Sequence, residues 1–313
     1  MKVLVTGGAG FIGSHTVEAL IAAGHQVTVL DDLSTGNIER ISENVAFVRA
    51  SILERELLFK AVADQDAIIH LAAYTSVPES FCDHQRCFQI NVEGTFHLLD
   101  AAVAAGLQRI VFASSSAVYA DEVEGLKSEF ECPQPGSPYA VSKLEGEHLL
   151  NWYSQRYGIS YIAYRYFNVY GPRQQADSDY AAAIPIFVEC GLTSQPMTIY
   201  GDGLQTRDFV FVKDVARANV AAVESSHCGI YNIGTGIGTG ILSLAKVISR
   251  LSGSCAGWNF ADHRPGDVGA SEADLNYIQK KLGWRAETEL ERGLEMTVEW
   301  HRASVLRKRN IDE

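Results

Sequence analysis

Short apolar runs rich in β-branched residues alternate with longer stretches of helical periodicity through the first two-thirds of the chain. Val3-Leu4-Val5 precedes a helical pattern from Ser14 to Ala23, and Val27-Thr28-Val29-Leu30 leads into a loop. Ala67-Ile68-Ile69-His70-Leu71 is followed by a helix through Asn91 to Ala105. Arg109-Ile110-Val111-Phe112-Ala113 comes next, then a helix opened by "SPYAVSK", then Tyr161-Ile162-Ala163-Tyr164. Strand and helix repeated in this way predict a parallel sheet covered on both faces. In such a sheet the ligand crevice lies at the carboxyl ends of the strands.

From about Gly171 the rhythm breaks into turns rich in Pro, Gly and Asp, such as "YGPRQQADSDY", "YGDGLQTRD" and "GTGIGTG". These predict a smaller, irregular second domain of mixed α/β content. "FVFVKDVARANVAAVES" and "YNIG" are expected to return to the sheet. The boundaries follow: residues 1–171 with 209–235 in the first domain, 172–208 and 236–313 in the second. No separating linker is visible, so the two are expected to face each other across a cleft.

Charge narrows the partners. The 313 residues carry 26 basic and 38 acidic side chains, a net charge of −12, which opposes wrapping of nucleic acid. No membrane partner is expected either, since the apolar stretches are short and broken. The strand-like Lys2-Val3-Leu4-Val5 leaves no room for a signal peptide, so a cytoplasmic location is expected. The six cysteines show no CxxC spacing and no histidine at zinc-finger distance, which predicts reduced thiols and no metal site.

"VLVTGGAGFIGSH" follows a strand, opens a helix, and carries Gly7, Gly8, Gly10 and Gly13. Glycines at this spacing allow a sharp turn, close approach of backbone N–H groups to a pyrophosphate at the helix N-terminus, and tight helix–strand packing. The second strand ends in Asp31-Asp32, where a carboxylate can accept from the adenosine ribose and would repel a 2′-phosphate. With no arginine in "DDLSTGN", NAD is favoured over NADP. One of the two aspartates could equally start the loop or cap a helix.

Ser137 can cap the next helix and Pro138 can take its first position. Tyr139 then sits in the first turn and Lys143 one turn on, on the same face. A phenol is a poor base at neutral pH and needs help from the lysine's charge and a cationic nicotinamide. Upstream, "FASSSAVY" leaves Ser114, Ser115 and Ser116 at a strand's carboxyl end, where one hydroxyl could relay a proton to Tyr139. Either piece alone is ordinary loop or helix chemistry. Their order behind a dinucleotide loop turns the balance toward catalysis.

These segments resemble an extended short-chain dehydrogenase/reductase of the nucleotide-sugar epimerase branch. "TGGAGFIGSH", "DDLSTG", "HLAA", "NVEGT", "SSSAVY", "YAVSK", "YRYFNVYGPRQ", "GDGLQTRDFVFVKDV", "YNIGTG" and "RPGD" follow the family's order along nearly the whole chain. The resemblance implies a Rossmann domain holding NAD and a smaller domain gripping a nucleotide-sugar diphosphate. It assigns the pyrophosphate loop to Gly7, Gly10 and Gly13 with Phe11 and Ile12, the ribose contact to Asp31 beside Asp32, and the catalytic pair to Tyr139 and Lys143. Counting back from the tyrosine of "VY" selects Ser115 as the catalytic hydroxyl. Leu71, Ala72, Ala73, Asn91 and Tyr166 are implied on the cofactor side. Asn168, Arg207 and Arg264 are implied at the nucleotide or its diphosphate, with Ser116, Ile184 and Asp267 also on the substrate side. Two positions depart from the pattern. Ser51-Ile52 replaces an Asp-Ile or Asp-Leu pair near adenine, and Thr75 stands on the substrate side where some UDP-galactose epimerases have a lysine.

Dehydratase relatives need an acid and a base after the catalytic hydroxyl, and decarboxylase relatives a glutamate. Here Ser116 and Ala117 occupy those places, which disfavours both reactions. The expectation is NAD-dependent epimerisation at carbon 4 of a UDP-hexose through a 4-keto intermediate. Ser271, small at the position that limits room around the sugar's second carbon, points to the UDP-N-acetylglucosamine/UDP-N-acetylgalactosamine pair with some UDP-glucose activity. The alternatives are a UDP-glucose-only epimerase, a UDP-glucuronate epimerase, or a non-catalytic NAD-binding scaffold. Helices around Val92 to Ala105 and Tyr139 to Tyr157 could pair with their symmetry mates in a homodimer.

Overall fold

The computed structural model describes residues 1–119, 125–176, 182–263 and 269–309. The chain begins β1 (Lys2–Thr6), α1 (Phe11–Ala22), β2 (Gln26–Asp31), β3 (Ala46–Arg49), α2 (Arg55–Val62) and β4 (Ala67–His70). Short helices α3 (Val77–Cys82) and α4 (His84–Phe88) and a π-helical turn (Gln89–Glu93) lead into α5 (Gly94–Ala104). Then come β5 (Arg109–Ser115), α6 (Pro138–Tyr157), β6 (Ser160–Tyr166), β7 (Asn168–Tyr170), α7 (Ala183–Leu192), β8 (Met197–Tyr200) and β9 (Thr206–Phe211). The rest is α8 (Val212–Glu224), β10 (Gly229–Ile233), β11 (Gly238–Gly240), α9 (Ile241–Ser252), β12 (Trp258–Ala261), β13 (Ala270–Ser271), α10 (Asn276–Leu282) and α11 (Leu290–Arg309).

Seven strands form one parallel sheet in the order β10-β6-β5-β4-β1-β2-β3. This is the Rossmann α/β architecture, and the order reverses beside β1, so the crevice opens beyond the carboxyl ends of β1 and β4. Alternation of side chains loads both faces. Val3, Val5, Val27, Val29, Ile69 and Val111 enter one buried cluster, which α1 helps to close through Val17 and Leu20. Leu4, Leu30, Ile68, Ile110 and Phe112 enter a second cluster with residues of α2, α5 and α6. Continuous apolar strands are what a sheet buried on both faces requires.

The segment after Gly171 divides between two places. Strand β10, containing "YNI", is an outer strand of the main sheet, and α8 packs against α1. Strand β9, containing "FVF", was expected in that sheet but pairs instead with β7, β11 and β13 in a four-stranded sheet. An apolar run specifies burial, not the strand it pairs with. A third cluster, including Phe187, Ile199, Phe209, Phe211, Leu244 and Leu294, fills this smaller region.

Candidate active site

A cleft of about 640 Å³ opens at the carboxyl ends of the main strands. At one end lies the glycine loop. Gly7 has φ +71°, and a Cβ there would lie 2.6 Å from the Ala72 nitrogen. A Cβ on Gly13 would lie 2.1 Å from the Gly7 carbonyl oxygen. Helix α1 begins at Phe11 with Gly10 as its cap and no side chain bonding the first-turn amides. Those amides are therefore free for an anionic ligand, and the absent Cβ atoms leave backbone-lined space for it. Gly7, Gly10, Phe11, Ile12 and Gly13 all line the cleft, so the residues present fit a dinucleotide pyrophosphate.

Asp31 also lines the cleft and is 7% exposed. Its Oδ2 accepts from the Ala9 amide at 2.9 Å and its Oδ1 from the Leu33 amide at 2.8 Å. Burial pushes this carboxyl above the usual carboxylate range, while the two amides pull it back. Asp32 also borders the cleft, and its Oδ1 accepts from both the amide and the hydroxyl of Ser34, so both aspartates brace the turn. Ser51, Ile52, Leu71, Ala72 and Ala73 complete this wall. Arg40, not singled out from the sequence, lines it too, and its Nη1 donates to the Ala9 carbonyl at 3.4 Å.

Helix α6 supplies the opposite wall. Ser137 caps it, accepting from the Ala140 amide at 3.1 Å, and Pro138 is its first residue. Tyr139 and Lys143 both line the cleft, as does Ser115 at the end of β5. The Lys143 Nζ donates to the Ala113 carbonyl at 3.0 Å and lies 5.8 Å from the centroid of the Tyr139 ring. Burial lowers the Lys143 pKa to about 8. Burial also raises the Tyr139 phenol, and the Ser115 side chain opposes the rise.

Asn91 does not line the cleft, contrary to the expectation that it contacts cofactor. It is 2% exposed within the π-helical turn. Its Oδ1 accepts from the Tyr74 amide at 2.7 Å, and its Nδ2 donates to the Tyr74 carbonyl and to Ser142 Oγ at 3.0 and 2.8 Å. Ser142 Oγ in turn donates to the Tyr139 carbonyl at 2.7 Å, and Ser80 Oγ accepts from the Tyr139 amide at 3.2 Å. These bonds anchor the loop after β4 to the first turn of α6.

Tyr166, implied on the cofactor side, and Thr75 and Asn168, implied on the substrate side, all line the cleft. Ile184 does not: it is 1% exposed inside the third core cluster. Ser116 begins the turn Ser116–Val118, in which Ser115 Oγ accepts from the Ala117 amide at 3.2 Å, and is also not a lining residue. Arg207 and Ser271 are register partners in the β9–β13 pair of the smaller sheet. Arg264 and Asp267 lie outside the described residues. The structure adds Arg173 and Gln174 to the lining. Arg173 has φ +73° and pairs with Glu18 of α1, while Pro172 O meets His15 Nε2 of the same helix at 2.9 Å. "GPRQ" was legible as a motif, but its approach to α1 depends on a contact between residues 155 positions apart.

Comparison with known proteins bears on this geometry. The chain is 39% identical over 300 residues to a putative UDP-glucose 4-epimerase of Methanocaldococcus jannaschii, covering 95% of this chain and 97% of that one. It superposes on the crystal structure of a UDP-glucose 4-epimerase of Thermotoga maritima with UDP-glucose, with TM-score 0.94 and 38% identity over 97% of this chain and 100% of that one. It also superposes on a UDP-N-acetylglucosamine 4-epimerase of Methanobrevibacter ruminantium, with TM-score 0.93 and 38% identity over 97% and 98% of the two chains. Residues 3–234 match the family described as NAD dependent epimerase/dehydratase. A family match over residues 3–234 and 39% identity across nearly the whole chain show that the chain belongs to the NAD-dependent epimerase/dehydratase family of enzymes.

Proposed function

We propose that the chain interconverts UDP-sugars epimeric at carbon 4, with the UDP-N-acetylglucosamine/UDP-N-acetylgalactosamine pair as preferred substrates and slower turnover of UDP-glucose/UDP-galactose. The observation that carries the reading is the convergence of Ser115, Tyr139 and Lys143 on the wall of a cleft whose far end is the glycine loop. In this reading the domain built on the main sheet holds NAD, through Gly7, Gly10, Gly13 and Asp31. Residues 172–208 and 236–313 hold the nucleotide and its diphosphate, with Arg207, Arg264 and Asn168 as contacts. When bound, NAD supplies the hydride acceptor and donor at carbon 4 and a positive charge beside the phenol.

The protein's own groups manage the proton. Tyr139, as phenolate, takes it from the sugar's 4-hydroxyl, with the Ser115 hydroxyl as relay between the two oxygens. Lys143, protonated at neutral pH with its pKa of about 8, keeps a positive charge under the ring. The 4-keto sugar turns over while the diphosphate stays gripped, and Tyr139 returns the proton to the ketone oxygen on the way to the epimer. Ser116 and Ala117 offer no second acid or base, which keeps elimination out of competition. Ser271 leaves room for an N-acetyl group. Phe96, Trp152 and Tyr157 are exposed on α5 and α6 next to Tyr153, and this aromatic face supports a homodimer through those helices.

The test is a set of initial rates with NAD-loaded protein and UDP-N-acetylglucosamine, UDP-glucose or UDP-glucuronate offered separately. The first is expected to be fastest and the third inert. Fastest turnover of UDP-glucuronate would overturn the substrate assignment. Tyr139→Phe is expected to lower kcat by about 100-fold or more without weakening NAD binding. Undiminished turnover would remove the phenol from the mechanism.

A further inference from the structure

We propose that Glu147, which lies behind the cleft wall, is a positioning residue that holds Tyr139 and Lys143 in register with Ser115. The inference rests on the epimerase reading above. Tyr139, Lys143 and Glu147 recur at intervals of four along α6 and so share one face of it. Lys143 ties that face to β5 through the Ala113 carbonyl at 3.0 Å. Glu147 makes the next tie, one helical turn further on: its Oε1 accepts from Ser114 Oγ and from Arg165 Nε at 2.9 Å, and its Oε2 accepts from Arg165 Nη2 at 2.7 Å. Ser114 on β5 and Arg165 on β6 are register partners, so one carboxylate grips two adjacent strands at their carboxyl ends.

All three groups are within 2% of full burial. A buried ion pair is weak as a source of stability, since the cost of removing both charges from water rivals their attraction. Its geometry, by contrast, is well defined: a two-point contact between a planar guanidinium and a carboxylate fixes both angle and distance. The far side of Arg165 is covered by the Tyr119 ring, with Cζ 4.8 Å from its centroid, and Tyr119 Oη donates to Asn232 Oδ1 at 2.6 Å. Tyr119 immediately follows the turn Ser116–Val118 that leaves Ser115. The strand that carries the relay hydroxyl is thus held through Ser114 before it and Tyr119 after it, and both contacts converge on the Glu147–Arg165 pair. Glu147 does not line the cleft, so it acts through these residues and not on the sugar.

Two variants test this on NAD-loaded protein. Ser114→Ala removes the strand's bond to Glu147 but leaves the ion pair intact, so no charge is stranded and the protein is expected to fold. It should lower kcat about 10-fold with KM and NAD affinity unchanged, as small misplacements of reacting groups do. Because Ser115 is the group that lowers the Tyr139 pKa, the phenol's ionisation should also move to higher pH. That shift is read without turnover, from tyrosinate absorbance relative to a Tyr139→Phe background. Glu147→Gln should move kcat and phenol ionisation further in the same direction. A fall in thermal stability with wild-type kcat and wild-type phenol ionisation would make Glu147 merely structural and overturn the proposal. So would a loss of kcat that tracks loss of NAD. If the wild-type protein epimerised no UDP-sugar, the function would fall, while the absorbance shift would still decide whether Glu147 positions the pair.

Discussion

The carboxyl edge of the main sheet and the small sheet around β9 are built on different rules. Along the main edge each group sits within a few residues of a strand end: Gly7 after β1, Asp31 at the end of β2, Ser115 at the end of β5. In the small sheet, Arg207 and Ser271 meet only because β9 and β13 pair in parallel register across 64 positions of sequence. The first region works by local backbone geometry, and its motifs can be read one at a time. The second works by pairing, and no short segment of it carries the site. The two regions are clamped together by His15 and Glu18 of α1, which hold Pro172 and Arg173.

If the division is functional, damage to one region should spare the ligand of the other. The largest effect is expected from Gly13→Ala, whose Cβ would meet the Gly7 carbonyl at 2.1 Å. NAD affinity measured by calorimetry should fall by more than about 100-fold, since neither backbone segment can yield without opening the cradle. Retained affinity would mean that the loop is not where the pyrophosphate rests. Arg207→Ala should raise the KM for the UDP-sugar by roughly 10- to 100-fold, the loss of a charged hydrogen bond to phosphate, and leave NAD affinity alone. Equal losses for both ligands would erase the contrast.

The clamp between the regions has its own signature. Burial lowers the His15 pKa from 6.5 to about 4, so the folded protein holds this ring neutral. As pH falls below 6.5 the unfolded chain takes up the proton first, and stability is lost through the window from 6.5 to 4. By pH 5 the loss from this one group is roughly 2 kcal/mol. Urea midpoints of wild type and His15→Gln at pH 7 and pH 5 should therefore converge at the lower pH. An unchanged difference would mean that the ring is charged or solvated. The smallest effect is expected from Ser271→Tyr, which should cut the ratio of N-acetylated to plain hexose turnover about 10-fold by filling the space beside carbon 2. A constant ratio would free that position from any role in choosing the sugar.

Much of the first region was legible because its signals are local. Glycine spacing states where backbone must come close, and Ser137-Pro138 states where α6 begins. The four-residue interval states that Tyr139 and Lys143 share a face. Failures fell where a local pattern has more than one tertiary outcome. The apolar run of β9 suits either sheet, and its pairing with β7 puts it in the smaller one. The helix expected from Asn91 begins with a π-helical turn at Gln89–Glu93, and that turn directs Asn91 toward Tyr74 and Ser142 instead of the cleft. Arg40 sits in no motif, and Arg173, though within "GPRQ", is set by contacts with α1 that lie far away in sequence.

By itself the amino-acid order determined a parallel sheet, a dinucleotide loop, and a tyrosine and lysine aligned on one helix, because propensity, glycine freedom and periodicity act over a few residues. Only the folded chain decided which strand receives β9, how burial raises the Tyr139 phenol, and which buried carboxylate ties its helix to the serine strand. Those outcomes depend on water excluded and partners met across tens to hundreds of residues, which no local pattern contains.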